Sequence, residues 1–177
     1  MKKLLIFAVG LFIFVGVQSA TAQEAHYMFG IKYGYIIPQD DLKAYNNDLV
    51  GGITFTIGTI IPFFSLMTSI DSFTLENKSS TINQSQIEVL GLHLDALIRI
   101  SPVLMIGFMP YLGAGIAYNT FIDDRKGADP GADFFAGMLI PIGTYLFATC
   151  EGRYKVLEFN EKMRTAEVTA GICFIIP

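Results

Sequence analysis

Apolar and polar positions alternate with a period of two along most of this chain, most plainly at residues 110–120, Pro-Tyr-Leu-Gly-Ala-Gly-Ile-Ala-Tyr-Asn-Thr. One alternate set, Pro110, Leu112, Ala114, Ile116 and Tyr118, is mostly apolar; the other, Tyr111, Gly113, Gly115, Ala117 and Asn119, is small or polar. This is the pattern of a strand with unlike faces. A soluble strand with one buried face turns its bulk to the core and its small or polar groups to water. Here the glycines suit a crowded interior, and the bulky set faces a medium that need not be water. A strand of a closed barrel spanning lipid meets both conditions, with every backbone group paired to a neighbour.

The same alternation predicts seven further strands. Residues 26–37 set Tyr27, Phe29, Ile31, Tyr33 and Tyr35 against Met28, Gly30, Lys32 and Gly34; residues 49–61 set Ile53, Phe55, Ile57 and Ile61 against Gly52, Thr54, Thr56 and Gly58. A weaker strand over 65–75 carries Asp71 on its inner face. The fourth strand places Leu90, Leu92, Leu94, Ala96, Ile98 and Ile100 outward, and Val89, Gly91, His93, Asp95, Leu97 and Arg99 inward. Residues 134–140 are almost wholly apolar and leave the facing open. The seventh strand turns Thr149, Glu151, Arg153 and Lys155 inward, and the eighth turns Glu167, Thr169 and Gly171 inward, with Val168, Ala170, Ile172, Phe174 and Ile176 outward. Pro62, Pro102, Pro141 and Pro177 recur at gaps of 40, 39 and 36 residues, with polar loops about midway at 38–48, 76–86, 122–133 and 158–163. The predicted fold class is all-β: an eight-stranded antiparallel up-and-down transmembrane β-barrel.

Composition agrees. Of 177 residues 52% are hydrophobic and 16% charged, and the mean hydropathy of +0.48 is high for a soluble domain. Part of that comes from the first residues, where Lys2 and Lys3 precede an apolar run from 4 to 17 and Ser19-Ala20-Thr21-Ala22 supplies small residues. This pattern predicts a signal peptide at 1–22, cleaved after Ala22, and a barrel domain at 23–177. The rival reading, a retained helical anchor, has a run short of the ~20 residues a span needs. Export removes two of twelve bases and none of sixteen acids, so the charge goes from -4 to -6. An acidic chain without a basic patch argues against nucleic acid as a partner.

Charges at mid-span are tolerable only if they face inward and are paired. Lys32, Asp71, His93, Asp95, Arg99, Glu151, Arg153, Lys155 and Glu167 all fall on predicted inner faces. Eight strands enclose an interior just wide enough for side chains to fill, so the expectation is an ion-pair network in the lumen. Asp95 and Arg99 stand four residues apart on one strand and make poor partners; Lys32 is expected to pair with Glu167 or Glu151. His93 and Asp95 share a face, yet no serine elbow accompanies them, so no catalytic residue is assigned and no enzyme is expected. Two separated histidines and two cysteines give no metal-ligand cluster, and no cofactor is implied. In a hairpin of the last two strands, Cys150 comes nearly opposite Cys173 but on the other face by parity, which disfavours a disulfide.

The 110–118 run is similar to the fifth-strand pattern of the small eight-stranded bacterial outer-membrane β-barrels, the OmpA-like, OmpX-like and OmpW-like porin-family domains. Glu151-Gly-Arg-Tyr154 resembles the acidic and basic lumen pair of their seventh strand. That family commonly ends on an aromatic residue, where this chain has Ile176 and Pro177. The resemblance implies a bacterial outer-membrane protein, both termini on the periplasmic side, with outer-membrane lipid around it. It further implies a monomer with a structural or surface-interaction role through the loops at 38–48, 76–86 and 122–133. A narrow channel, or a barrel for a small apolar ligand, stays open on the strength of Met28, Met105, Met109 and Phe135 at inner positions. Two other architectures also remain. An inner-membrane helical bundle would leave the fourth strand's charges in lipid, and a soluble lipocalin-like barrel would invert the small and bulky faces.

Overall fold

The computed structural model describes residues 27–58, 64–78, 86–100, 108–122, 128–158 and 163–176. Eight strands run in sequence: β1 (Tyr27–Asp40), β2 (Asp48–Gly58), β3 (Phe64–Glu76), β4 (Gln86–Arg99), β5 (Met109–Phe121), β6 (Ala128–Pro141), β7 (Leu146–Glu158) and β8 (Met163–Ile176). Each is antiparallel to the next, and β8 pairs back onto β1 from Tyr27↔Ile176 to Asp40↔Met163, closing the barrel. The predicted all-β, up-and-down architecture is the one found. No helix among the described residues is long and apolar enough to cross a membrane.

The faces follow parity. On β5, Ile116 is 65% exposed and Leu112 55%, whereas Tyr111 and Asn119 are buried. Lys32, Asp71, His93, Glu151 and Glu167 are buried within, while Tyr33, Ile53, Leu92 and Val168 look out. Ile57 keeps the outward register, opposite Tyr27, yet is buried.

Several boundaries depart from the sequence reading. The strands run further at the loop end, and most of all β6 begins at Ala128, so the second half of the predicted loop over 122–133 is strand. Asp129, Pro130 and Gly131 read locally as a turn, but they pair in register with Asn119, Tyr118 and Ala117 of β5. Cross-strand pairing here overrides local preference. The first loop is also shorter than 38–48: Asp40, with φ 48°, ends β1, a single 3-10 turn spans Asp41–Ala44, and β2 starts at Asp48. Leu42 on that turn is buried against the barrel's apolar interior. The signal peptide at 1–22, Ile61, Pro62, Pro102, Met105 and Pro177 lie outside the described residues.

Inner glycines make room for charged neighbours. A Cβ on Gly52 would stand 2.9 Å from Asp71 Cβ and 3.2 Å from Lys32 Cε, and one on Gly91 would stand 2.7 Å from both Asp71 Oδ1 and His93 Nε2. On Gly115 it would strike the Asp95 carboxylate and lie 2.6 Å from the Leu94 carbonyl oxygen, which is backbone and cannot step aside. Outward-facing Gly152 meets only Glu167 O at 3.9 Å. Gly115→Ala should therefore lower barrel stability by about 1–3 kcal/mol, and Gly152→Ala should leave it unchanged. Urea midpoints of the refolded chain, read by gel mobility, check this; equal midpoints for the two variants would refute the close-packed lumen.

Candidate functional site in the barrel lumen

The lumen is layered. At the loop end, Ile36, Leu42, Val50, Phe73, Leu75 and their neighbours form one buried apolar cluster. At the terminal end, Met28, Met67, Leu97, Tyr111, Phe135, Leu139, Phe147 and Cys173 form another. Between them lies a layer of charge drawn from β1, β3, β4, β6, β7 and β8.

Two hubs organise that layer. Asp71 on β3 accepts from Lys155 Nζ at 2.6 Å, lies 3.2 Å from His93 Nε2 and 3.7 Å from Lys32 Nζ. Arg153 on β7 donates from Nε to Glu151 at 3.0 Å and from Nη1 to Asp95 at 3.0 Å and Asp133 at 3.2 Å. Its guanidinium also sits 4.1 Å from the centroid of the Phe135 ring. His93 joins the hubs, its Nδ1 lying 2.7 Å from Asp133. Carboxylates only accept, so both imidazole contacts are hydrogen bonds when both ring nitrogens carry protons. Lys155 further pairs with Glu167 at 2.6 Å, Lys32 lies 3.8 Å from Glu151, and Tyr111 donates to Glu151 at 2.9 Å.

Eight of the nine charged residues singled out from sequence thus meet one another. Arg99 does not: among the described residues its polar contact is the Met28 sulfur at 3.2 Å. Of the two partners expected for Lys32, Glu151 lies at ion-pair distance and Glu167 does not, because Lys32 stands opposite Gly171 while Glu167 stands opposite Ile36, four positions along, and turns to Lys155. Asp95 engages Arg153 rather than Arg99. Cys150 is exposed and opposite Ala170, Cys173 is buried and opposite Phe147, and both thiols are free. Asp133 was missed because it closed a stretch that reads as loop. Its signal was parity with Phe135 and Gly137 once the strand is extended. Asn119, which donates to Leu157 O at 2.8 Å, and Tyr111 carried no charge to mark them.

His93, Asp95 and Asp133 bring ligand atoms within 4.8 Å of one another, a donor set that would suit a divalent cation. The Arg153 guanidinium already bonds both carboxylates, so the chain itself supplies the positive charge. Ser69 stands directly opposite His93 in the β3–β4 ladder, but both ring nitrogens of His93 face carboxylates, which leaves it no free base for a hydroxyl.

Comparison of the whole chain with solved structures finds several of similar fold. Neisserial surface protein A matches with a TM-score of 0.66 at 15% identity, over 86% of this chain and 99% of that one. The N-terminal β-barrel domain of Pseudomonas aeruginosa OprF matches at 0.57 and 16%, over 87% and 98%. Ail, the attachment invasion locus protein of Yersinia pestis, in complex with the heparin analogue sucrose octasulfate, matches at 0.57 and 13%, over 87% and 100%. The fold is that of the small outer-membrane β-barrels. No protein-family model and no curated protein matches the sequence.

In an outer-membrane barrel fold filled this way, removing a hub strands its partners. Arg153→Met, which leaves Asp95, Asp133 and Glu151 short of a cation, should cost about 3–5 kcal/mol, whereas Arg99→Met, which strands no carboxylate, should cost little. Urea titration of both variants decides; comparable losses would mean that Arg153 is no hub.

Proposed function

We propose that this chain is a bacterial outer-membrane protein whose lumen is structural filling and whose work is done at the loop end, by contact with a partner at the cell surface. The observation that carries this reading is the layering: among the described residues a charged layer lies between two buried apolar clusters, which favours a filled interior over an aqueous path. The cavity bordered by Met28 is about 50 Å³, far below the roughly 300–1,000 Å³ of ordinary ligand pockets. That favours filling over the narrow channel or apolar-ligand barrel. The role is non-catalytic, since His93, the one histidine among the described residues, is held on both sides.

The loop end is built to present a surface. Leu42 anchors the first loop in the interior, and Tyr45 bridges to Asn77. Asn46 N donates to Glu76 O at 2.8 Å and Lys78 N to Ala44 O at 2.8 Å, tying that loop to the strand beside it. Asn46, Asn47, Asp48, Glu76 and Lys78 line an open groove there. That Ail, a barrel of similar fold, forms a complex with the heparin analogue sucrose octasulfate supports a ligand-binding role for such a barrel.

Reconstitution into planar bilayers tests the sealed lumen. The expected result is no steady single-channel current, and sustained ion currents would overturn the reading. Exchanging the loops between β1 and β2 and between β3 and β4 should leave gel mobility intact and abolish capture of the surface partner; undiminished capture would move the binding surface elsewhere.

A further inference from the structure

The charged layer is short of positive charge. Among the described residues five carboxylates are buried in it, Asp71, Asp95, Asp133, Glu151 and Glu167, against three Lys or Arg cations, Lys32, Arg153 and Lys155. The half-buried Arg99 contacts the Met28 sulfur rather than a carboxylate. Buried carboxylates need positive partners, so a further cation is wanted.

His93 stands where one would serve. Its Nδ1 lies 2.7 Å from Asp133 Oδ2 and its Nε2 lies 3.2 Å from Asp71 Oδ1, and the residue is 1% exposed. A neutral ring has one N–H and one lone pair, and here the lone pair would be aimed at a carboxylate. Placing the missing proton on a carboxylate does not relieve this. Asp133 Oδ2 also accepts from Arg153, and Asp71 Oδ2 from Lys155, so each is held ionised by a cation. The other oxygen of Asp133 has no partner to which a hydroxyl could donate.

Every neighbouring strand bears on the ring. Asp71 and Ser69 reach it from β3, Asp95 lies beside it on β4, and Asp133 meets it from β6. Asn119 on β5 borders the same space over Gly91. Arg153 and Lys155 on β7 bring like charge, but both are already spent on those same carboxylates.

We propose that His93 carries its second proton as a resident fourth cation of the layer, and that this proton is a pH-sensitive clasp joining the Asp71 hub to the Arg153 hub through Asp133. Without it one ring nitrogen faces a carboxylate with no hydrogen between them, and the two hubs lose their link. The inference does not rest on the surface role, since it concerns the interior alone.

Nitrogen-15 NMR of the refolded full chain, labelled at histidine and kept in EDTA, reads the proton directly. At about pH 7.5, roughly one unit above the ordinary histidine value, His93 should show two protonated ring nitrogens, its signal identified by its absence from His93→Gln. A bare ring nitrogen on His93 at that pH would overturn the proposal. The urea midpoint should also fall as pH is raised through the interval in which the NMR signal loses its second proton, because the folded chain then holds a proton that the unfolded chain does not. His93→Gln should lack that fall. The same pH course in both chains would refute the clasp.

Discussion

In a medium without water, every backbone N–H and C=O must find its partner within the protein, and a sheet meets that demand only by closing on itself. Here the closure is the β8–β1 seam, which runs the full length of both strands from Tyr27↔Ile176 to Asp40↔Met163. Once the ring is closed, each strand has one face turned outward and one in a narrow interior. The alternation of the chain follows from that division. Ile116 and Leu112 are exposed on the outward face, as the fold of a lipid-spanning barrel requires, and Gly115 is bare because the backbone of β4 and the Asp95 carboxylate occupy the space a side chain would need.

The interior then has to be filled, and this barrel fills its middle with charge. A carboxylate removed from water is tolerable only with a partner close by, and the apolar clusters at either end make that condition stricter by keeping solvent out. Asp71 and Arg153 each serve several partners, so the layer behaves as one unit rather than as separate pairs. The exposed pair Arg164–Asp40, 3.2 Å apart at the rim, is of another kind, screened by solvent and worth little. Glycines are the counterpart of these charges: Gly52 and Gly91 lie where Lys32, Asp71 and His93 converge.

Much of this was legible from residue order. Where both alternate sets are distinct, as on β4, β5, β7 and β8, facing followed from parity, and the charged residues fell on the inner side. What parity cannot supply is height along the axis. Lys32 and Glu167 lie on adjacent strands and share the interior, but the seam offsets them, and Lys155 reaches Glu167 instead. Asp133 was hidden by Asp129-Pro130-Gly131, whose local chemistry signals a turn while the register with β5 keeps it in the ladder. Leu42 was hidden in a polar stretch, and its burial depends on the short 3-10 turn that folds it inward.

The charged layer draws its members from six of the eight strands, and its contacts Lys155–Asp71 and Arg153–Asp95 join strands that are not neighbours, so no hairpin taken alone contains the whole network. A slide of β7 against β8 by two residues would preserve parity and nearly every backbone bond, so the ladder alone could tolerate it. It would, however, carry Arg153 and Lys155 about 7 Å along the axis, away from Asp95, Asp133 and Asp71 and into the apolar cluster beyond. The ions thereby act as a gauge of alignment: of the closed rings that satisfy the backbone equally well, they single out the one in which opposite charges arrive at the same depth.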